Sequence, residues 1–143
     1  MRAPFQVIVF PYRYCNDEIE VLIGKRSDGD YWQAISGGGE DSETHLETAI
    51  RELNEETSLE GSDWVKLDSM CTLPKVYYRD HERWTSFEYV IPEYAYMVKA
   101  SGTVNRSSEH TELEWVSIDK AMSLLKYDSN KNALWELCQR ANL

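Results

Sequence analysis

The sequence predicts an α+β fold, a mixed β-sheet flanked by helices, and three observations lead to it. Segments rich in β-branched and aromatic residues are intermixed with helical ones, without the regular alternation that builds a parallel α/β sheet. The chain has 143 residues and a mass of 16.7 kDa, the size of one compact domain. Hydrophobic residues make up 42% and aromatics 12%, with 7 Gly and 4 Pro, which excludes disordered and collagen-like chains and promises a real core. With no internal repeat, low-complexity tract or linker, residues 1–143 read as a single domain.

In chain order, the β-rich runs Phe5 to Tyr14 and Ile19 to Arg26 predict two strands, and the polar tetrapeptide Cys15-Asn16-Asp17-Glu18 predicts the turn of a hairpin. Ser36-Gly37-Gly38-Gly39 reads as a flexible loop. Leu46, Ala49, Ile50 and Leu53 then recur with the spacing of one helix face, and Thr44-x-x-Glu47 offers a capping box. Lys66 to Leu73 and Trp84 to Ala100 predict strands, the second broken by Pro92, which belongs at an edge or a bulge. Glu114 to Ser117 predicts a short strand. Ile118 to Leu125 and Asn130 to Ala141 predict helices, the first capped by Ser117 or Asp119.

Fifteen basic against twenty-five acidic residues give a net charge of −10, a field that repels phosphate backbones and argues against a nucleic-acid polymer as partner. An anionic substrate needs a cation as intermediary. Cys15, Cys71 and Cys138 are odd in number and far apart, without a zinc-type spacing, and read as reduced thiols. No apolar run approaches the length of a membrane span, and Pro4, Gln6 and Pro11 interrupt the first apolar stretch, so no membrane association and a cytoplasmic location are expected.

At about 100° per residue, Glu52, Glu55 and Glu56 share one stripe of the Leu46 helix, beside the apolar sector. The i,i+4 pair Glu52 and Glu56 is repulsive, and Arg51 offsets it only in part. Glu-rich helices are commonly solvated faces. Here, however, the stripe follows a glycine run whose backbone can approach a ligand closely, and a further carboxylate pair, Glu40 and Glu43. Hard carboxylate oxygens of this kind suit Mg²⁺ or Mn²⁺, which also bind phosphate oxygens.

These residues resemble the Nudix hydrolase box, G-x5-E-x7-R-E-U-x-E-E-x-G-U with U a bulky aliphatic residue. Gly37, Glu43, Arg51, Glu52, Leu53, Glu55, Glu56 and Leu59 fall on its fixed positions, and the departure is Ser58 where the family has a glycine suited to a left-handed helix end. The resemblance implies a Nudix-type α/β/α sandwich and hydrolysis of a phosphoanhydride by a metal-activated water. It further implies that Glu52, Glu55 and Glu56 bind the cations, Gly37 lends backbone to the metal shell, and Arg51 orients the carboxylates, with Glu43 as a partner. Glu55 or Glu56 would also assist proton removal.

Outside the box, the run from Tyr31 through Trp32, Gln33 and Ser36 to Gly38 is similar to a segment of bacterial dATP and dihydroneopterin triphosphate pyrophosphohydrolases, as are the Trp84 region and the Ser108-Glu109-His110 stretch. This branch implies cleavage of a nucleoside or pterin triphosphate to monophosphate and pyrophosphate, with Glu109 as a further metal ligand or base. Glu-His before a tryptophan strand also resembles diadenosine polyphosphate hydrolases, the alternative; a non-catalytic nucleotide-binding domain is the third reading. Arg26, at a strand end, is a candidate for phosphate contact. Trp32 offers a stacking face, although a tryptophan there also serves as core, and Gln33 has an amide able to read a ring edge. The expected partner is thus a small nucleotide or related diphosphate.

Overall fold

A computed structural model describes residues 1–85, 89–105 and 110–142, the side chains of His110 and Thr111 excepted. The first strand, β1 (Arg2–Cys15), organises the sheet. On one edge, it pairs antiparallel with β4 (Ile35–Glu40) along its first half and with β2 (Glu18–Arg26) at its end; on the other it pairs in parallel with β6 (Val90–Ser101). Beyond β6 lies β5 (Glu60–Pro74), and β2 carries both β3 (Trp32–Gln33) and β7 (His110–Ser117). The sheet is therefore mixed, as expected. The predicted hairpin is present: Cys15 pairs with Glu18, and Asn16 and Asp17 take φ of 52° and 66°, the left-handed pair of a tight two-residue turn.

Alternate residues of β1 feed two cores. Phe5, Val7 and Val9 face α1 (His45–Thr57), packing with Ala49 and Leu53, whereas Ile8, Phe10 and Tyr12 face α2 (Ile118–Leu124) and α3 (Asp128–Ala141), packing with Ala121, Ala133, Leu134 and Leu137. Helices thus cover both faces, the α/β/α sandwich. None of the helices among the described residues is long and apolar enough to cross a membrane.

Several elements differ from expectation. The glycine run of residues 36–39 is not a loop but lies within β4: Ser36, Gly37 and Gly38 pair with Ile8, Val7 and Gln6. Side chains are excluded there by close approach, since a Cβ at Gly37 would overlap the Glu52 carboxylate and one at Gly38 the Arg2 guanidinium. Helix α1 starts at the predicted capping box, with Glu47 N–H to Thr44 Oγ1 at 3.1 Å and Thr44 N–H to Glu47 Oε1 at 2.9 Å. Its buried face is rotated from the apolar stripe, however. Leu46 and Ile50 are 40% and 44% exposed, while Glu52 and Glu56 are buried beside Ala49 and Leu53.

Strands β5 and β7 are longer than the runs Lys66 to Leu73 and Glu114 to Ser117 that announced them. The strand expected from Trp84 begins only at Val90; Trp84 is instead a buried anchor whose Nε1–H donates to the Arg2 carbonyl at 2.8 Å. Pro92 sits on an inner strand, tolerated because the pairing of β6 with β1 starts one residue later, at Glu93. Ser117 caps α2, as one of the two predicted caps.

Candidate active site

Arg51 gathers the acidic residues into one array. Its Nε and Nη2 donate to the two oxygens of Glu43 at 2.8 and 2.9 Å, Nη1 donates to Glu52 Oε1 at 2.9 Å and to Glu55 Oε2 at 3.2 Å, and Nη2 also reaches the Gly38 carbonyl at 2.9 Å. Helix α1 is thereby clipped to β4. The Arg51 fork holds the Glu43 carboxyl down at about 2, helped by the Glu40 N–H and the Thr48 hydroxyl. Burial has the opposite effect on Glu52: only 7% exposed, its carboxyl is pushed up to about 7 despite Arg51, with Glu56 and Glu55 adding to the rise. Glu56 is 4% exposed, and half of the Glu55 side chain is in solvent. One guanidinium, Arg51, is thus shared by Glu43, Glu52 and Glu55.

Two cavities meet at this point. The first, about 400 Å³ and polar, is lined by Glu52, Glu55, Glu56, Arg51, Gly37 and the cations Arg2 and Arg26. The second, about 220 Å³, has walls that include Tyr77, Tyr78, Tyr127, Gln33 and Glu93. Gln6, Ser36 and Tyr78 belong to both, so the two spaces share a wall. An anion-and-cation chamber thus adjoins a ring-lined chamber.

The structure brings Arg51, Glu52, Glu55, Glu56, Gly37 and Arg26 to the first cavity and Gln33 to the second. Arg26 is also held by Asp28, through bonds of 3.0 and 2.9 Å. Trp32 lines neither cavity; it packs, half-buried, against the core beneath α2 and α3, the role sequence reasoning weighed against stacking. Glu109 lies outside the described residues. Sequence reasoning missed Arg2, Tyr78 and Glu93. Arg2 stacks 5.1 Å from the Tyr78 ring centroid, and its Nε is a buried polar atom without a partner among the described residues. The one signal available for Glu93 was a lone charge in the otherwise apolar run from Val90 to Val98.

A family model described as the NUDIX domain matches residues 5–137. The chain belongs to the Nudix family. Its curated relatives include the asymmetrical bis(5'-nucleosyl)-tetraphosphatase of Rattus norvegicus, 30% identical over 123 residues, and the dihydroneopterin triphosphate diphosphatase of Haemophilus influenzae, 30% identical over 137; each alignment covers 85% of this chain and 80% of the relative. Among solved structures, a Nudix hydrolase from Listeria monocytogenes superposes with a TM-score of 0.85 at 39% identity, covering 98% of this chain and 95% of that one. The protein is accordingly a Nudix hydrolase, acting on phosphoanhydride bonds.

Within the Nudix box, Ser58 keeps the left-handed conformation of the glycine it replaces, with φ 64°, and its N–H caps the helix on the Asn54 carbonyl at 2.9 Å. The departure from the motif leaves the turn unchanged. Nudix hydrolases generally use divalent cations. Among the described residues no three acidic, imidazole or thiol groups converge into a closed metal cage. Mg²⁺ does not require one, because it keeps several waters and is commonly bound by one or two carboxylates together with substrate phosphates. The buried Glu52 and Glu56, one helical turn apart on a polar cavity, are a hard-oxygen donor set that fits such an ion.

Proposed function

We propose that this chain is a metal-dependent pyrophosphohydrolase that cleaves a nucleoside or pterin triphosphate to the monophosphate and pyrophosphate. The observation that carries this reading is the shared wall of the two cavities, Gln6, Ser36 and Tyr78. A ring held among Tyr77, Tyr78 and Tyr127 sends its phosphate chain past that wall into the acidic chamber. The relative from Haemophilus influenzae, whose name is dihydroneopterin triphosphate diphosphatase, supports the substrate class.

Glu52, Glu56 and Glu55, with the Gly37 backbone, would hold Mg²⁺ or Mn²⁺, and Glu109 is proposed as a further ligand or base. Such an ion, when bound, supplies acidification of a water and neutralisation of charge on phosphoryl oxygens. Arg51 fixes the rotamers of Glu52 and Glu55 through its hydrogen bonds, so the carboxylates are in place before substrate arrives. Glu55, the more exposed of the three, or Glu56 accepts the proton of the attacking water. Arg2 and Arg26 line the chamber that would take the phosphates and supply its cations. Residues 1–143 act as one Nudix unit, and the three free thiols accord with a reducing cytoplasm.

The second reading, a diadenosine polyphosphate hydrolase, draws on the relative from Rattus norvegicus and on a further cavity beside the first, lined by Arg2, Glu40, Tyr77 and Tyr78 among others, where a second nucleoside could lie. Steady-state kinetics with Mg²⁺ decides between them. A higher kcat/KM for dihydroneopterin triphosphate than for diadenosine tetraphosphate is expected, and the opposite order would favour the second reading.

A further inference from the structure

We propose that Glu93 selects the substrate ring by accepting two hydrogen bonds from a 2-amino-4-oxo edge, the ring N–H and exocyclic amino pair that guanine and pterin share, and so rejects adenine. This rests on reading the site as one for a ring-bearing triphosphate. Glu93 is the one charged residue between Val90 and Val98, 8% exposed, and the pairing of β6 with β1 sets it opposite Gln6 on the wall of the tyrosine-lined cavity. A carboxyl so placed costs stability, and among the described residues no Lys or Arg pairs with it.

Its partners among the described residues occupy one oxygen only. Oε1 accepts from the Cys71 thiol at 3.4 Å and the Ser129 hydroxyl at 3.5 Å. Burial, reinforced by the nearby Glu93 charge, pushes the Cys71 thiol up to about 11, so it keeps the proton it donates. Oε2 has no donor among the described residues, and Glu93 lines the wall of the cavity. Tyr77, Tyr78 and Tyr127 supply ring faces around it, and the Gln33 amide, its Nε2 3.4 Å from Ser36 Oγ, borders the same space.

The chemistry then distinguishes the rings. Burial pushes the Glu93 carboxyl up, and the two adjacent donors of a guanine or pterin edge favour its ionised form, which only accepts. The corresponding edge of adenine sets an acceptor nitrogen beside its amino group, which meets the carboxylate lone pair against lone pair. Hypoxanthine retains the ring N–H but lacks the amino group, and forms only one of the two bonds.

Calorimetric titration with dGMP, dIMP and dAMP, in wild type and Glu93→Gln, tests this without reference to turnover. Wild type should bind dGMP at least about tenfold more tightly than dAMP, with dIMP between them, the size expected of one bidentate contact. Glu93→Gln should bring dGMP and dAMP within about threefold of each other. Tighter binding of dAMP, equal binding of dGMP and dIMP, or an unchanged preference in Glu93→Gln would overturn the proposal; the wild-type order alone decides it if the variant does not fold. A dGMP preference in a protein that hydrolyses no triphosphate would leave ring selection standing and refute the proposed function instead.

Discussion

Glu52 and Glu56 are buried carboxylates, and burial of charge opposes folding unless it is compensated. Replacing Glu52 by the isosteric glutamine removes that penalty, so in the absence of metal Glu52→Gln should melt at or above the wild-type temperature, while turnover falls by about 100-fold or more in both Glu52→Gln and Glu56→Gln. Parallel thermal melts and rate measurements check both halves of this expectation. Ser58 bears the opposite kind of cost, a non-glycine residue at φ 64°. Ser58→Gly should raise stability by about 0.5–1 kcal/mol in denaturant titration, the relief of a left-handed conformation less the greater freedom of unfolded glycine. The family glycine position and the acidic positions of the box could be read from the sequence because they are set by local geometry. Glu93 and Arg2 could not, since what makes them notable is a cavity wall built by pairing of distant strands.

Helix α1 shows which part of an element is local and which is not. Ser58 in place of the family glycine left two forms of its C-terminal turn open, of which the left-handed one is found, whereas its start was legible, because a capping box involves neighbouring residues. Its buried face was not: the glycines of β4 let a strand press against Glu52, turning the helix so that Leu46 and Ile50 point outward. Leu53→Ala should therefore cost about 2–5 kcal/mol, whereas Ile50→Ala should stay within about 1 kcal/mol of wild type, both by chemical denaturation. At the other side of the molecule, Glu136 ties α3 to β5, accepting from the Asp68 and Ser69 N–H groups at 2.7 and 2.8 Å and from Arg140 Nε at 2.8 Å. Burial alone would push its carboxyl up, but the Asp68 N–H, Arg140 and Ser69 outweigh that and hold it at about 2. A carboxyl lowered on folding stabilises above its unfolded value of 4.5, and that stability is lost as the pH falls from there toward about 2. The melting temperature of Glu136→Gln should lie below wild type at neutral pH, and the gap should narrow progressively below pH 4.5.

Across the whole molecule, the mixed sheet between helices followed from the irregular order of strand-like and helix-like segments, and the catalytic family from the box. The ring-lined chamber did not follow from either, because parallel pairing of β1 with β6 brings Gln6 beside Glu93 from distant parts of the chain, and Tyr78 and Tyr127 arrive from elements separated from both. A net charge of −10 places the phosphate chain in an unfavourable field, so activity should vanish in EDTA and return with Mg²⁺ or Mn²⁺. The most direct test of the proposed chemistry follows solvent oxygen. Hydrolysis of a preferred triphosphate in ¹⁸O-labelled water, with the products analysed by mass spectrometry, should put the label in the monophosphate and leave pyrophosphate unlabelled, as attack at the α-phosphorus requires. Label in pyrophosphate, or release of inorganic phosphate with a nucleoside diphosphate, would contradict it.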